Sequence, residues 1–112
     1  MLTPFEKGFI AHLIADWLFQ NDWMAKNKNS LRHPSAWIHS LVYAVALSIA
    51  LGWQAGIVLS IAHIFIDTRI PLNWWRGIIH QTGDGPAALS VAIWVDQALH
   101  LILIGLWVAF VL

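Results

Sequence analysis

The sequence has no cysteine and few charged residues, and each shortage excludes a class of protein. Without cysteine, disulfides and thiolate chemistry are ruled out. Charged residues make up 11% of the 112 positions, whereas an average soluble domain carries about 25%. Six basic and six acidic residues cancel, so the chain lacks the excess positive charge that binds phosphate backbones. No nucleic-acid partner is therefore expected.

Apolar residues are abundant instead. They account for 59% of the chain, the mean hydropathy is +0.66, and eight residues are tryptophan. A soluble chain of this length would expose large apolar patches with such a composition. A lipid-facing exterior removes that contradiction, and tryptophans near the ends of apolar runs are typical of the membrane interface. The lipid bilayer is thus the first expected partner.

The apolar segments predict how many times the chain crosses the bilayer. The stretch from Ala36 to Ile70 would exceed about 50 Å as one helix, against a hydrocarbon core of about 30 Å. We therefore expect it to fold back at Gly52. The prediction is an all-α, up-down integral membrane bundle of four transmembrane helices, forming one domain over residues 1–112. The helices are expected at about 5–24, 35–51, 54–70 and 87–111.

Basic residues predict the orientation of this bundle. One side, formed by the two longer loops, is expected to carry Lys26, Lys28, Arg32, Arg69 and Arg76. Only Lys7 is expected near the other side. The positive-inside rule then places both longer loops in the cytoplasm.

Ionisable residues inside the predicted spans are the most informative feature. Such residues cost about 2.5–3.5 kcal/mol each on insertion scales and are rare without a function. Three of the four helices carry a histidine and an aspartate at spacing i,i+4, which places both on one helix face. With one further histidine, these pairs make seven ionisable residues. All seven lie in the half of the bundle nearest the basic loops, where they can meet in one polar pocket. They are His12, Asp16, His39, His63, Asp67, Asp96 and His100.

A metal site is the leading interpretation of these seven residues. Imidazole and carboxylate ligands suit divalent Zn, Mn, Fe or Ni. Seven residues exceed the three or four ligands of one catalytic zinc, so we expect either two ions bridged by a carboxylate or one ion with hydrogen-bonded partners. Two neighbouring ions can position a hydroxide for hydrolysis. The candidates for a catalytic carboxylate are Asp16, Asp67 and Asp96.

Two alternatives to a metal site stay open. Each histidine–aspartate pair can be a self-contained hydrogen bond that stabilises the bundle, or the groups can form a path for protons or cations. If the site is an enzyme, a lipid-linked phosphate or ester is the expected substrate class, because the site would face headgroups. The apolar exterior also leaves a homo-oligomer open.

The remaining polar residues are expected to have simpler roles. His33, which precedes Pro34, is expected to cap a helix or to be solvated, and His80 is expected to be solvated. Lys28 is expected to set topology and to contact anionic lipid. Tyr43, one turn after His39, can hydrogen-bond in the pocket or simply pack.

Four ordered motifs carry a resemblance over nearly the whole chain. HLIADWLFQ, WIHSLVY, HIFID and DQALH resemble an uncharacterised family of small bacterial and phage membrane proteins, domain of unknown function 3307. That family is similar to predicted membrane-bound metal-dependent hydrolases. The resemblance implies a multi-pass protein, expected in the bacterial inner membrane, and supports a site more than a particular reaction. Gln20 and Gln97 enter as partners of the ligands. The residues it implicates are His12, Asp16, Gln20, His39, His63, Asp67, Asp96, Gln97 and His100.

Overall fold

The secondary structure is entirely helical in a computed structural model that describes residues 1–81, 83 and 85–112. No strand occurs among these residues, which confirms the all-α prediction for them. A π-helical segment continues the first helix. The elements are α1 (Pro4–Leu13), the π segment (Ile14–Leu18), α2 (Asp22–Asn27), α3 (Pro34–Leu51), α4 (Trp53–Asp67), α5 (Ile70–Ile78) and α6 (Pro86–Phe110).

The first helix ends earlier than expected. α1 begins at a capping box in which the side chains of Thr3 and Glu6 each accept from the other residue's backbone N–H. The π segment follows, but the chain then becomes extended at Asn21, whose side chain accepts from the Met24 N–H at 2.9 Å. Because this side chain caps a new helix, it interrupts the continuous helix that we expected over 5–24.

α3 and α4 form a tight antiparallel hairpin. Gly52 joins them with φ at 101°, a conformation that glycine adopts without strain. Gly56 of α4 lies so close to α3 that a Cβ there would stand 2.6 Å from the Ala44 carbonyl oxygen. The Ser40 hydroxyl also donates across to the Ser60 carbonyl at 3.1 Å. The hairpin thus fixes the spacing of the side chains that α3 and α4 carry.

A helix occupies part of the segment that we expected to be a loop before α6. α5 bends away from α4 by 62°. The bend occurs at Arg69, which takes the left-handed conformation with φ at 66°. α5 buries Leu72 and exposes Trp74 and Trp75, the arrangement of a helix packed on the bundle by one face.

Two or three candidate membrane spans occur among the described residues, and not clearly the four that we expected. α3 and α6 are each long and apolar enough to cross a membrane, and α4 with α5 qualifies only as a bent pair. α1 and the π segment cover Pro4–Leu18, which is about 22 Å and shorter than the hydrocarbon core. Ile49 and Trp94 are 83% and 74% exposed on the outer surface, as lipid-facing residues would be.

The apolar core lies where α1, α3, α4 and α6 meet. It includes Ala11, Tyr43, Leu47, Ala55 and Ile104. Beside this core, toward the end of the bundle formed by α2 and α5, the interior becomes polar. The fold therefore separates an apolar half from a half that buries histidine and aspartate.

Candidate metal centre

Three helical elements contribute histidine and aspartate to one buried cluster. The π segment supplies Asp16 and α3 supplies His39, while α4 supplies His63 and Asp67 from its last two turns. Ligand atoms of these four residues all lie within 4.8 Å of one another. All four are buried. This geometry can hold a metal ion.

A second group shares one member with the first. Asp67, Asp96 and His100 also place ligand atoms within 4.8 Å of one another. Asp67 thus belongs to both groups, as a bridging carboxylate would. The structure brings together six of the seven residues that we predicted as ligands.

The distances in the first group are short. His39 Nε2 lies 2.9 Å from Asp16 Oδ1 and 3.5 Å from Asp67 Oδ2. His63 Nε2 lies 3.0 Å from Asp67 Oδ2. The Tyr43 ring stacks on the His63 ring with centroids 3.9 Å apart and planes 7° apart. Tyr43 therefore holds the orientation of His63.

In the second group, the backbone sets the tautomer of His100. Its Nδ1 lies 2.7 Å from the Asp96 carbonyl oxygen. That oxygen can only accept, so Nδ1 carries the proton and the neutral ring leaves a lone pair on Nε2. His100 Nε2 lies 3.6 Å from Asp67 Oδ1. Metal-ligating histidines are commonly oriented in this way by a bond from the other ring nitrogen.

Several buried polar atoms in the cluster lack a hydrogen-bond partner within the described part of the chain. They include His63 Nε2, Asp67 Oδ1 and His100 Nε2. His63 Nε2 is close to Asp67 Oδ2 but is not aligned with it for a hydrogen bond. Each unsatisfied buried group costs about 1–3 kcal/mol. A divalent cation would bind these atoms directly, so the donor set fits such an ion.

None of the three helical pairs forms a hydrogen bond between its own ring and its own carboxylate: His63 and Asp67 are close but not aligned, and the other two pairs are too far apart. His12 Nε2 lies 3.8 Å from Asp16 Oδ2, and His100 Nδ1 lies 3.8 Å from Asp96 Oδ2. Neither distance is that of a hydrogen bond. These polar groups face across the bundle instead of pairing along each helix, which argues against a role limited to stabilising individual helices.

His12, which we predicted as a ligand, lies outside both candidate groups, and its ligand role stays a prediction. Its Nε2 lies 2.7 Å from Gln97 Oε1, and its Nδ1 lies 2.9 Å from the Tyr43 hydroxyl. Because the amide oxygen can only accept, Nε2 donates and Nδ1 accepts from Tyr43. Both ring nitrogens are thereby used, so His12 lies beside the ligand groups and not within them.

Gln97 connects this histidine to the cluster. Its Nε2 donates to Asp16 Oδ2 at 3.2 Å and to Asp96 Oδ2 at 3.2 Å. A partly buried hydrogen-bond chain therefore runs from Tyr43 through His12 and Gln97 to Asp16. Gln20, the other predicted partner, lines the neighbouring cleft, and its Oε1 is buried without a partner among the described atoms.

Lys28 is the site residue that the sequence did not indicate. Its Nζ lies 3.5 Å from Asp16 Oδ1 and 3.8 Å from Asp67 Oδ1, and its side chain is only 14% exposed. Lys28 follows the last residue of α2, so helical periodicity could not predict its position. The only signal in the sequence was its positive charge in a chain rich in buried aspartate. The other loop histidines lie elsewhere: His33 caps α3 through the Ser35 N–H, and His80 is exposed.

A cleft of about 90 Å³ opens beside the cluster. Asp16, Asp67 and Asp96 line it together with Lys28 and Arg69. Asp96 is the most accessible of the three aspartates, with its side chain 18% exposed. A small polar group can therefore approach the carboxylates from this side.

Comparison with known proteins identifies a family and no activity. No curated protein and no solved structure matches the chain. One family model matches residues 5–112, a range that includes the residues of both candidate metal groups. The chain therefore belongs to the family described as "Protein of unknown function (DUF3307)".

Proposed function

We propose that the protein is a membrane-embedded, metal-dependent hydrolase that acts on a lipid-linked phosphate or ester. The single observation that carries this proposal is a set of buried ligand atoms that lack a hydrogen-bond partner among the described residues, His63 Nε2, Asp67 Oδ1 and His100 Nε2. A bundle stabilised only by polar pairs would satisfy these atoms internally.

The chemistry and arrangement of the ligand groups support a kind of metal and a number of ions. Nitrogen and carboxylate oxygen donors without sulfur favour Zn, Mn, Fe or Ni. Two groups that share Asp67 favour two ions. A divalent ion bound there would acidify a coordinated water and stabilise negative charge on the substrate.

The remaining chemistry falls to the protein's own side chains. Gln97 orients Asp16 and Asp96 through its amide. Asp96 lines the cleft and is placed to accept the proton that water releases. Hydrolysis consumes one water and breaks one ester bond at phosphorus or carbon. It releases the phosphate or carboxylic acid, which keeps the oxygen of that water, and an alcohol, whose oxygen takes up a proton on leaving. The small cleft admits the reacting group, while the rest of a lipid stays outside.

We also propose how the helices cross the membrane. α1 with the π segment would be a short first span, followed by α3, by α4 and by α6. The cluster would then lie toward the cytoplasmic face of a bacterial inner membrane, on the side of the basic loops. Exposed apolar surface on several helices leaves room for a homo-oligomer.

Elemental analysis of the purified protein tests the metal. We expect at least one equivalent of a transition metal, lost in Asp16→Ala and His63→Ala. His80→Ala is the matched control, because His80 is exposed and should leave the metal content unchanged. Circular dichroism and size-exclusion profiles should be equal in all four proteins.

The outcomes separate this proposal from its rivals. Substoichiometric metal that does not fall further in Asp16→Ala or His63→Ala would overturn it. Metal-free protein that conducts protons or cations in proteoliposomes, with flux lost in the same variants, would identify a conductor instead. If metal is bound, turnover of lipid phosphates and esters distinguishes an enzyme from a structural metal site.

A further inference from the structure

Two basic side chains line the cleft that leads to the metal centre. Lys28 lies within 4 Å of two carboxylates of the cluster. Arg69 lines the same cleft from the junction of α4 and α5. Arg69 is exposed at this cleft, so its guanidinium can reach a ligand there.

The backbone of Arg69 is strained. Its φ of 66° lies in the left-handed region, which residues with a Cβ rarely adopt and which glycine adopts freely. Strained residues of this kind are concentrated at binding and catalytic sites. The position directly follows Thr68 at the end of α4, two residues from Asp67. A cationic residue with this unusual backbone conformation thus lines the same cleft as Asp67, which both candidate metal groups share.

Apolar side chains line another part of the same cleft. Leu72 of α5 is buried there, while Leu89 and Ile93 of α6 line the cleft and are also exposed on the outer surface. A ligand with a polar head and an apolar tail can place the head at the carboxylates and the tail along α6. The cleft volume of about 90 Å³ accommodates only the head.

From these observations we infer that Arg69 and Lys28 form a phosphate-binding site at the entrance to the metal centre. Guanidinium and ammonium groups bind phosphate oxygens by charge-assisted hydrogen bonds. A divalent ion held by the aspartates and histidines would add positive charge to the same site. A neutral carboxylic ester has no negative charge for these cations to bind, so the inference selects the phosphate from the two substrate classes proposed above and rests on that proposal.

The decisive variant is Arg69→Gly. Glycine relieves the left-handed strain, so this variant should unfold at the same temperature as the wild type or a higher one. Arg32→Gln is the matched control: it removes one positive charge from the same end of the molecule, but Arg32 lies outside the cleft. Arg69→Lys restores the charge without the planar guanidinium.

Binding is measured with two probes on the purified full chain in detergent or nanodiscs. Inorganic phosphate is titrated calorimetrically, and vesicles containing phosphatidic acid or, as a neutral counterpart, diacylglycerol are used in flotation assays. We expect Arg69→Gly to bind phosphate about tenfold more weakly, the loss of one charge-assisted contact. Arg69→Lys should recover part of that loss, and Arg32→Gln should bind as the wild type does.

The two arms identify the source of the phosphate. Binding of both inorganic phosphate and phosphatidic acid vesicles supports a lipid headgroup, and binding of inorganic phosphate alone supports a soluble phosphate. Equal phosphate binding by the wild type, Arg69→Gly and Arg32→Gln would overturn the inference, as would preference for diacylglycerol. Metal content, measured on the same samples, distinguishes failure of this inference from failure of the proposed function. If the metal content is normal and Arg69→Gly does not change phosphate binding, only the phosphate site is refuted. If the wild type contains no metal, the proposed function is refuted.

Discussion

Gly56→Ala is expected to disrupt the candidate metal centre from a distance. A Cβ at this position would meet the Ser48 side chain and stand 2.6 Å from the Ala44 carbonyl oxygen. The serine can rotate away, but the carbonyl belongs to the backbone of α3. α3 and α4 must therefore separate by about 0.8 Å to reach an ordinary contact of 3.4 Å.

The hairpin amplifies this separation at the metal centre. Gly56 lies about 6 Å along α4 from the turn at Gly52, whereas His63 lies about 16 Å from it. If the hairpin opens at the turn, 0.8 Å at Gly56 becomes about 2 Å at His63. Even a parallel separation of 0.8 Å exceeds the tolerance of about 0.2 Å on metal–ligand distances. Overpacking of this kind also costs about 1–3 kcal/mol of folding free energy.

The assay is thermal unfolding in detergent combined with metal analysis. Gly77→Ala is the control, because nothing lies within 4 Å of a Cβ at Gly77 in α5. We expect Gly56→Ala to lower the unfolding temperature and the metal content, and Gly77→Ala to lower neither. Adding Ser48→Ala to Gly56→Ala should recover only part of the loss, because the Ala44 carbonyl stays in place. If Gly56→Ala matches the wild type in both measurements, the close packing of α3 on α4 and its coupling to the site are wrong.

Three further predictions concern the ligands, the hydrogen-bond chain and the topology. Asp67→Asn should remove metal from both ligand groups, whereas Asp96→Asn should affect only one of them. Elemental analysis should therefore give a lower metal stoichiometry for Asp67→Asn than for Asp96→Asn. Equal values would contradict the bridging role of Asp67. Tyr43→Phe keeps the ring but removes the hydroxyl that begins the hydrogen-bond chain leading to Asp16. Metal affinity, measured by chelator competition, should therefore fall about 10–100-fold with little change in helicity. Because the chain has no cysteine, the single variants Ser30→Cys and Leu2→Cys can each be labelled with an impermeant maleimide. The labelling is compared in inverted and right-side-out vesicles. Labelling of both positions from the same side would contradict the proposed orientation.

The sequence predicted the helical class and the candidate site because both depend on local patterns. Long apolar runs can satisfy their backbone in a membrane only as helices or closed barrels. Histidine and aspartate four residues apart share a face whatever the helix packs against. For the same reason the turn at Gly52 could be predicted, since glycine between two apolar runs readily adopts the positive φ that a tight turn requires.

Elements near polar loops were predicted less well. The break at Asn21 depends on its side chain, which caps α2. The free-energy difference between this capped break and a continuous helix is small. α5 lies in a segment with several prolines and glycines, yet burial of Leu72 against the bundle makes a helix there. Such outcomes depend on tertiary packing that overrides local propensity.

Only the tertiary structure decided which polar residues come together in the candidate ligand groups. His12 and His63 have the same spacing to their aspartates, but only His63 lies in a ligand group, because the partner of His12 is Gln97 from a distant helix. Lys28 joins the site from a loop for which no pattern predicts a position. The sequence by itself determined that the histidines and aspartates of the apolar segments would share helix faces, because the helix period is local. Which atoms meet across the bundle depends on the distances between helices, and those are set by contacts such as Gly56 against Ala44, between residues that share no pattern in the sequence.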